Sequence, residues 1–286
     1  MATVTAITPH RSRRFDPGRV LLYSIAVAVL LVIVVPLSFS VLGGFRSNAQ
    51  LAADPVGLPN PWVWTNYQTT LSDPAFYQWV RNSVLIALGT TILVLPAASM
   101  AAFVIARYRF RGREVVYALF TLGLLFPVAV AILPLFITLR QTGLLNNPLG
   151  IALPQAAFGL PLSIVILRPF FRSIPRDLED AAAIDGCGPL RFYLSVMLPL
   201  SRPVLSTIAV LTIVGSWNAF LLPLLVLTKP EQWSLPLGIN NISAQYVTDT
   251  AAILAYTTVA MIPALIFYFI AQRQIVSGLT AGGVKG

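Results

Sequence analysis

Few residues of this 286-residue chain are of the types that do covalent or metal chemistry, and their spacing does not bring them together. His10 is the only histidine and Cys187 the only cysteine. A Ser/His/Asp or Cys/His catalytic site would have to be built around His10, in the N-terminal tail. A lone cysteine allows neither an intrachain disulfide nor a metal-type cysteine cluster. No G-x-x-x-x-G-K-[ST] phosphate loop occurs, so the chain does not bind ATP in the usual way. The expectation is a protein that is not an enzyme and binds no metal. What the chain does concentrate is acid. Asp177, Glu179, Asp180 and Asp185 place four of its ten acidic residues within nine positions, beside Arg172, Arg176 and Arg191.

The rest of the chain explains why that cluster stands out. It is 57% apolar and 10% charged, with a mean hydropathy of +0.79. A soluble domain is about 25% charged, whereas lipid solvates an apolar exterior. Runs long enough to cross a bilayer, about 20 residues each, are Val20–Leu42, Val80–Ala106, Val115–Leu139, Leu149–Leu167, Val204–Leu227 and Ala251–Ala271. The fold class read from them is all-α: a polytopic membrane protein of six transmembrane helices. The first run is longer than the roughly 7–15 residues of a signal-peptide core, which favours a retained anchor. Prolines inside the runs, Pro36, Pro96, Pro127, Pro134, Pro154, Pro161, Pro223 and Pro263, are read as kinks that neighbouring helices can tolerate.

Six spans sort the polar segments into two sets. Fifteen of the nineteen basic residues fall in one set: the N-terminal tail (Arg11, Arg13, Arg14, Arg19), the RYRFRGRE turn, the region from Arg168 to Arg202, and the C-terminal tail. The positive-inside rule makes that set, with both termini, cytoplasmic. The net charge of +9 therefore needs no nucleic acid as partner, only the bilayer. All ten acids lie outside the spans, which disfavours coupling to a proton or sodium gradient. Inside the spans the polarity is mild. Ser216, Trp217 and Asn218 form the most suggestive group, because an indole beside an amide suits a polar, ring-shaped solute, and they are candidate pore-lining residues.

The acidic cluster opens a polar insert (173–203) between the fourth and fifth runs, read as two short helices around a tight turn. Pro175 suits a first turn, and the acids that follow complement the helix dipole. Ala181, Ala182 and Ala183 give a narrow face that another surface can approach closely. Gly186 is placed to end this helix in a left-handed conformation, and Pro189 to start the next. Leu190, Tyr193, Leu194 and Met197 then follow at i, i+3, i+4, i+7 spacing and should form its apolar face. A loop resting on anionic headgroups would explain the arginines but not the acidic opening. A protein docking partner explains both.

The pattern Asp180-Ala181-Ala182, then Asp185-Gly186, then Leu198-Pro199 resembles the EAA motif of ABC-importer inner-membrane permease subunits. RYRFRGRE, RPFFRSIPRDLEDAAAIDG, GSWNAFLLPL and GLTAGGVKG resemble the carbohydrate-uptake branch, and within it the six-span partner of the maltose- or glycerol-phosphate-type permease pair. The resemblance spans nearly the whole chain, with Asp180 where the family usually has glutamate and Cys187 where alanine is common. It implies residues 1–19 as a cytoplasmic tail, 20–273 as the permease domain and 274–286 as a second cytoplasmic tail. It implies location in a bacterial or archaeal cytoplasmic membrane. The partners implied are two ATP-binding subunits that hold ATP and magnesium, a second, non-identical permease, and an extracytoplasmic binding protein that delivers a sugar or oligosaccharide. Asp180, Ala181, Ala182, Asp185, Gly186, Leu198 and Pro199 are then ATPase-coupling residues. Gly278, Leu279, Thr280 and Lys285 belong to a glycine-rich tail reaching between the ATPase subunits. Asn240, Asn241 and Gln245, in an external polar loop, are candidate contacts to the binding protein. Two alternatives stay open: a permease of this kind for another polar solute, and an ATP-independent secondary carrier.

Asp180→Glu restores the usual family residue. Uptake within about twofold of wild type is expected; a severe uptake defect would mean that the shorter side chain is specifically required.

Overall fold

The computed structural model describes residues 17–245 and 249–281, with side chains omitted at a few of these. The N-terminal arginines Arg11, Arg13 and Arg14, and Lys285, lie outside the described residues. Fourteen α-helices follow one another: α1 Pro17–Gly43, α2 Asn48–Ala53, α3 Thr65–Ser72, α4 Pro74–Arg107, α5 Arg113–Gly123, α6 Val128–Gln141, α7 Pro148–Ser173, α8 Asp177–Ile184, α9 Pro189–Phe192, α10 Leu198–Leu200, α11 Arg202–Trp217, α12 Leu221–Val226, α13 Leu235–Gln245 and α14 Thr250–Ala281. A π-helical turn, Tyr193–Met197, joins α9 to α10. The described residues contain no strand.

Four helices are long and apolar enough to cross a membrane unbroken: α1, α4, α7 and the first part of α14. Two bent pairs, α5 with α6 and the Pro189–Leu200 segment with α11, bring the total to as many as six if each pair is one span. Side-chain chemistry sets the helix starts. Asp73 accepts from the Ala75 N–H at 2.9 Å ahead of Pro74, and Asn147 accepts from the Leu149 N–H at 2.9 Å ahead of Pro148. Each proline occupies a first-turn position where no N–H is needed.

The core forms where α4 lies along α7 and α11 closes over them. Ala98, Ala102 and Phe103 of α4 pack with Ile164, Leu167 and Phe171 of α7 and with Val204 and Ile208 of α11, all buried. Polar groups inside are satisfied locally. The Thr90 and Thr91 hydroxyls donate to the carbonyls of Ile86 and Ala87 at 2.9 and 2.7 Å. This is the usual way a hydroxyl is hidden in a membrane helix.

Several expectations need correction. The third run is not one helix: α5 and α6 are bent by 94°. Pro127 lacks an N–H and disfavours a helical Phe126, and the chain crosses Leu124–Phe126 in tight turns instead. The fifth run also breaks, at Asn218–Phe220, because Pro223 cannot donate to the Ala219 carbonyl. By contrast Pro36, Pro96, Pro154, Pro161 and Pro263 lie within continuous helices. The segment read as a polar loop between the last two spans holds a 3₁₀ turn, Pro230–Gln232, and α13. The Asn82 side chain pins it by donating to the carbonyls of Glu231 and Trp233 at 2.9 and 3.0 Å. At the C-terminus α14 continues through Ala281, so the expected tail from 274 is helical for most of its length. A single glycine such as Gly278 weakens a helix without ending it.

The polar segments gather at two opposite ends. One end holds the turn after α4 and the insert; the other holds α2, α3, the Asn146 turn and α13. At the second end the Asn146 Oδ1 accepts from the backbone N–H groups of Thr228 and Lys229 at 2.7 and 3.0 Å. Nearby, a Cβ on Gly150 would collide with the Leu144 carbonyl oxygen, a backbone atom that cannot step aside.

Gly150→Ala should therefore cost about 1–3 kcal/mol and lower the thermal midpoint in detergent by roughly 2–8 °C. Gly188→Ala, where nothing lies within 4 Å, serves as the control. Equal midpoints for the two variants would contradict this close approach.

Candidate functional site

The insert begins where α7 ends. Asp177, Glu179 and Asp180 occupy the first turn of α8, and the N–H groups of Glu179 and Asp180 donate to the Arg176 carbonyl at 2.8 and 3.0 Å. The helix stops as its sequence requires. Gly186 has φ +73°, its N–H donates to Ala183 at 3.0 Å, and the Cys187 N–H reaches back to Ala182 at 2.8 Å. This pair of bonds ends the helix around a left-handed residue. Ala182 and Cys187 lean on the core. Asp180, Ala181, Asp185 and Gly186 are exposed, as are Leu178 and, at 87%, Ile184.

What holds this knob in place is Arg107, the last residue of α4, whose side chain is 2% exposed. Its Nε donates to Glu179 Oε2 at 3.0 Å. Its Nη1 donates to the carbonyls of Ile174 and Phe171 at 2.8 and 3.3 Å, and Nη2 to Pro175 at 3.3 Å. The guanidinium thus satisfies the end of α7, where a cation also meets the negative end of the helix dipole, and pairs with the acidic opening of α8. Of the two adjacent carboxylates, Glu179 is turned inward. Asp180 faces outward with no side-chain partner among the described residues.

A second ionic group braces the neighbouring span. Glu114, in the first turn of α5, accepts from Arg168 Nη2 at 2.5 and 2.6 Å, from Arg113 at 2.9 Å and from Arg172 at 3.2 Å. The Arg168 guanidinium also lies 3.8 Å over the Tyr117 ring.

The second half of the insert departs from the expected face. Phe192, Tyr193 and Met197 are buried, while Leu190 and Leu194 are 68% and 53% exposed. The π-helical turn inserts one extra residue per turn, and the core face runs through Phe192, Tyr193 and Met197 while Leu190 and Leu194 lie off it. The Tyr193 hydroxyl instead lies 2.6 Å from Ser99 Oγ inside the bundle. Leu198 packs on the core, and Pro199 sits in the short helix that precedes a 77° bend into α11.

Deeper in the bundle, a cavity of about 540 Å³ opens between α4, α7, α11 and the Asn218–Leu222 break. Ser216 and Asn218 line it; Trp217 does not. Trp217 borders a separate groove with Val84, Pro263 and Phe267, and packs near Phe76 and Trp79. The structure adds Gln155, a residue of the fourth run on α7. Its Oε1 lies 2.6 Å from Ser216 Oγ and 3.0 Å from Thr90 Oγ1.

The remaining sequence candidates are dispersed. Asn240 is exposed and Asn241 half-buried on α13; the Gln245 side chain lies outside the described residues. Gly278, Leu279 and Thr280 are placed only as backbone of α14. Among the described residues no group of three His, Cys, Asp or Glu side chains could hold a metal ion.

Residues 94–280 match the family described as "Binding-protein-dependent transport system inner membrane component". The chain is 34% identical over 284 residues to the diacetylchitobiose uptake system permease protein NgcG of Streptomyces coelicolor, covering 99% of this chain and 92% of that one. It is 34% identical over 288 residues to the sulfoquinovosyl glycerol transport system permease protein SmoH of Agrobacterium fabrum, covering 100% of both. With the trehalose transport system permease protein SugB of Mycobacterium tuberculosis it shares 37% identity over 231 residues, 80% of this chain and 84% of that one. Its fold is that of a chain in the crystal structure of a bacterial ABC transporter involved in the import of the acidic polysaccharide alginate. That match has a TM-score of 0.76 at 24% identity, over 93% of this chain and 99% of that one.

Arg107→Leu keeps the buried bulk but strips Glu179 and three carbonyls of their donor. A cost of about 1.5–3 kcal/mol is expected, seen as amide exchange across Asp177–Ile184 faster by about tenfold or more while the middle of α4 stays protected. Unchanged exchange in α8 would show that the guanidinium does not hold the insert.

Proposed function

The chain belongs to the family of binding-protein-dependent transport system inner membrane components, and we propose that it is the permease subunit of an ATP-driven importer for a sugar or oligosaccharide. The relatives named above support the sugar class, since each is named for a saccharide or a saccharide derivative. The observation that carries the mechanism is the pairing of an exposed helix end with a buried anchor. The α8 knob offers Asp180, Ala181, Asp185 and Gly186 to a partner, while Arg107 ties its other side to α4 and α7.

In this reading α8 seats in a cleft of one of two ATP-binding partner subunits, which supply ATP hydrolysis with its magnesium. Closure of those subunits pulls α8. The Arg107 bonds pass the pull to α4 and α7, and Tyr193 with Met197 pass it toward α11 through the core. Those three helices line the cavity, so a push at the insert changes its shape. A second, unlike permease completes the pathway and an extracytoplasmic binding protein delivers the solute at the opposite end, where Asn240 is exposed. The insert and both termini are cytoplasmic, consistent with the clustering of basic residues in those segments.

Native mass spectrometry of the chain, purified in mild detergent from its host membranes, should give one copy with one different multispan protein and two ATPase subunits. Recovery without any ATPase after gentle extraction would overturn the importer reading. Gly186→Val places a β-branched residue at φ +73°. It should abolish uptake while leaving membrane insertion intact, and normal uptake would contradict the docking geometry.

A further inference from the structure

The amide of Gln155 is incompletely satisfied at the cavity wall. Its Oε1 has two hydroxyl neighbours, Thr90 and Ser216, while its Nε2 is buried and has no hydrogen-bond partner. Turning the amide over would let the nitrogen serve both hydroxyls, with Thr90 still donating to Ile86, but would strand the oxygen instead. In either orientation one polar atom of the amide goes without a protein partner. An unpaired buried polar atom is destabilising, and a purely structural side chain in this position would normally be paired.

The surroundings indicate what completes it. Thr212, Ser216 and Asn218 face the same cavity, the Phe158 ring forms part of its wall, and among the described residues no charged side chain lines it. Phe158 is itself held by a stacked contact with Phe126, ring centroids 6.4 Å apart, at the break between α5 and α6. The cavity volume, about 540 Å³, lies within the range of roughly 300–1,000 Å³ found for small-molecule sites.

We propose that this subunit contributes a hydrogen-bonding subsite of its own, in which Gln155 and Asn218 contact an uncharged, polyhydroxylated ring that rests against Phe158. This rests on the importer reading above and adds to it both the contact residues and the charge class of the solute. A hydroxyl group both donates and accepts, so it completes the Gln155 amide whichever way the amide is turned. A carboxylate would enter a lining with no cation among the described residues and go unpaired, which is unfavourable away from water. The Gln155 nitrogen is covered in this conformation. Parting of α7 from α11, driven through the insert, uncovers it, so the solute is held only in part of the transport cycle.

The test uses the intact transporter with its binding protein in liposomes. The probes are tritiated neutral disaccharides built from glucose, N-acetylglucosamine or xylose, together with their uronate counterparts. Gln155→Leu removes the unpartnered atom, so assembly and thermal stability should be retained or improved, which a structural role would not give. Maximal uptake of the neutral probe should fall about tenfold or more, as for a site that loses a hydrogen bond to its substrate, with binding-protein-stimulated ATP hydrolysis within about twofold of wild type. Asn218→Ala, at an exposed position where misfolding is not a concern, should lower uptake in the same sense. Wild-type uptake by both variants would overturn the subsite. Uptake of uronates but not neutral probes by the wild-type complex would overturn the charge class. Absence of binding-protein-stimulated ATP hydrolysis in the wild-type complex would instead overturn the importer reading, and is separable because no variant is involved.

Discussion

A guanidinium at the end of a membrane helix is tolerable out of water only if its N–H groups find acceptors, and this requirement organises the chain. Arg107 is 2% exposed and meets it with one carboxylate and three carbonyls. Those acceptors come from the end of α7 and the start of α8. The position of the insert is therefore fixed by the solvation of one side chain. Moving α8 without moving α4 would strand a buried charge, a costly state in a low-dielectric interior. Rigidity between the insert and the spans follows from electrostatics more than from packing, since α8 itself buries no residue fully.

The spans were legible in the sequence because hydropathy over some twenty residues is a strong signal, and the left-handed Gly186 because glycine after an alanine-rich turn has few other uses. The breaks were not. Pro127 and Pro223 interrupt helices, whereas Pro96, Pro154 and Pro161 do not. Enclosure by neighbouring helices does not separate the two sets, because Pro223 is buried and Pro96 exposed, and composition does not encode which proline breaks its helix. Arg107 and Glu179 are 72 residues apart, and their pairing has no local signature. The π-helical turn was likewise invisible, because the apolar spacing of Leu190 to Met197 fits an ordinary helix equally well.

The Gly215–Asn218 cluster shows a different limit. Residues next to one another on a helix point about 100° apart, and here Ser216 turns to the cavity while Trp217 turns to the groove beside Pro263. Asn218 returns to the same cavity as Ser216 only because α11 ends at Trp217. Read as a string, the three looked like one site. Read as geometry, two of them join Gln155, which comes from another helix, and the indole serves the packing between α4 and α14.

The first helix has a separate standing. Within this chain the apolar window of α1 buries none of its residues, and its far end is tied by the Ser40–Thr258 hydroxyl contact at 3.2 Å and by Tyr67, which donates to the Val41 carbonyl at 2.7 Å. The region that matches the family begins only at residue 94. A helix that meets so little of its own chain is set in the bilayer mainly by its length and apolarity. Its side chains are thus among the most open to lipid in the chain, and its length is what matches it to the bilayer.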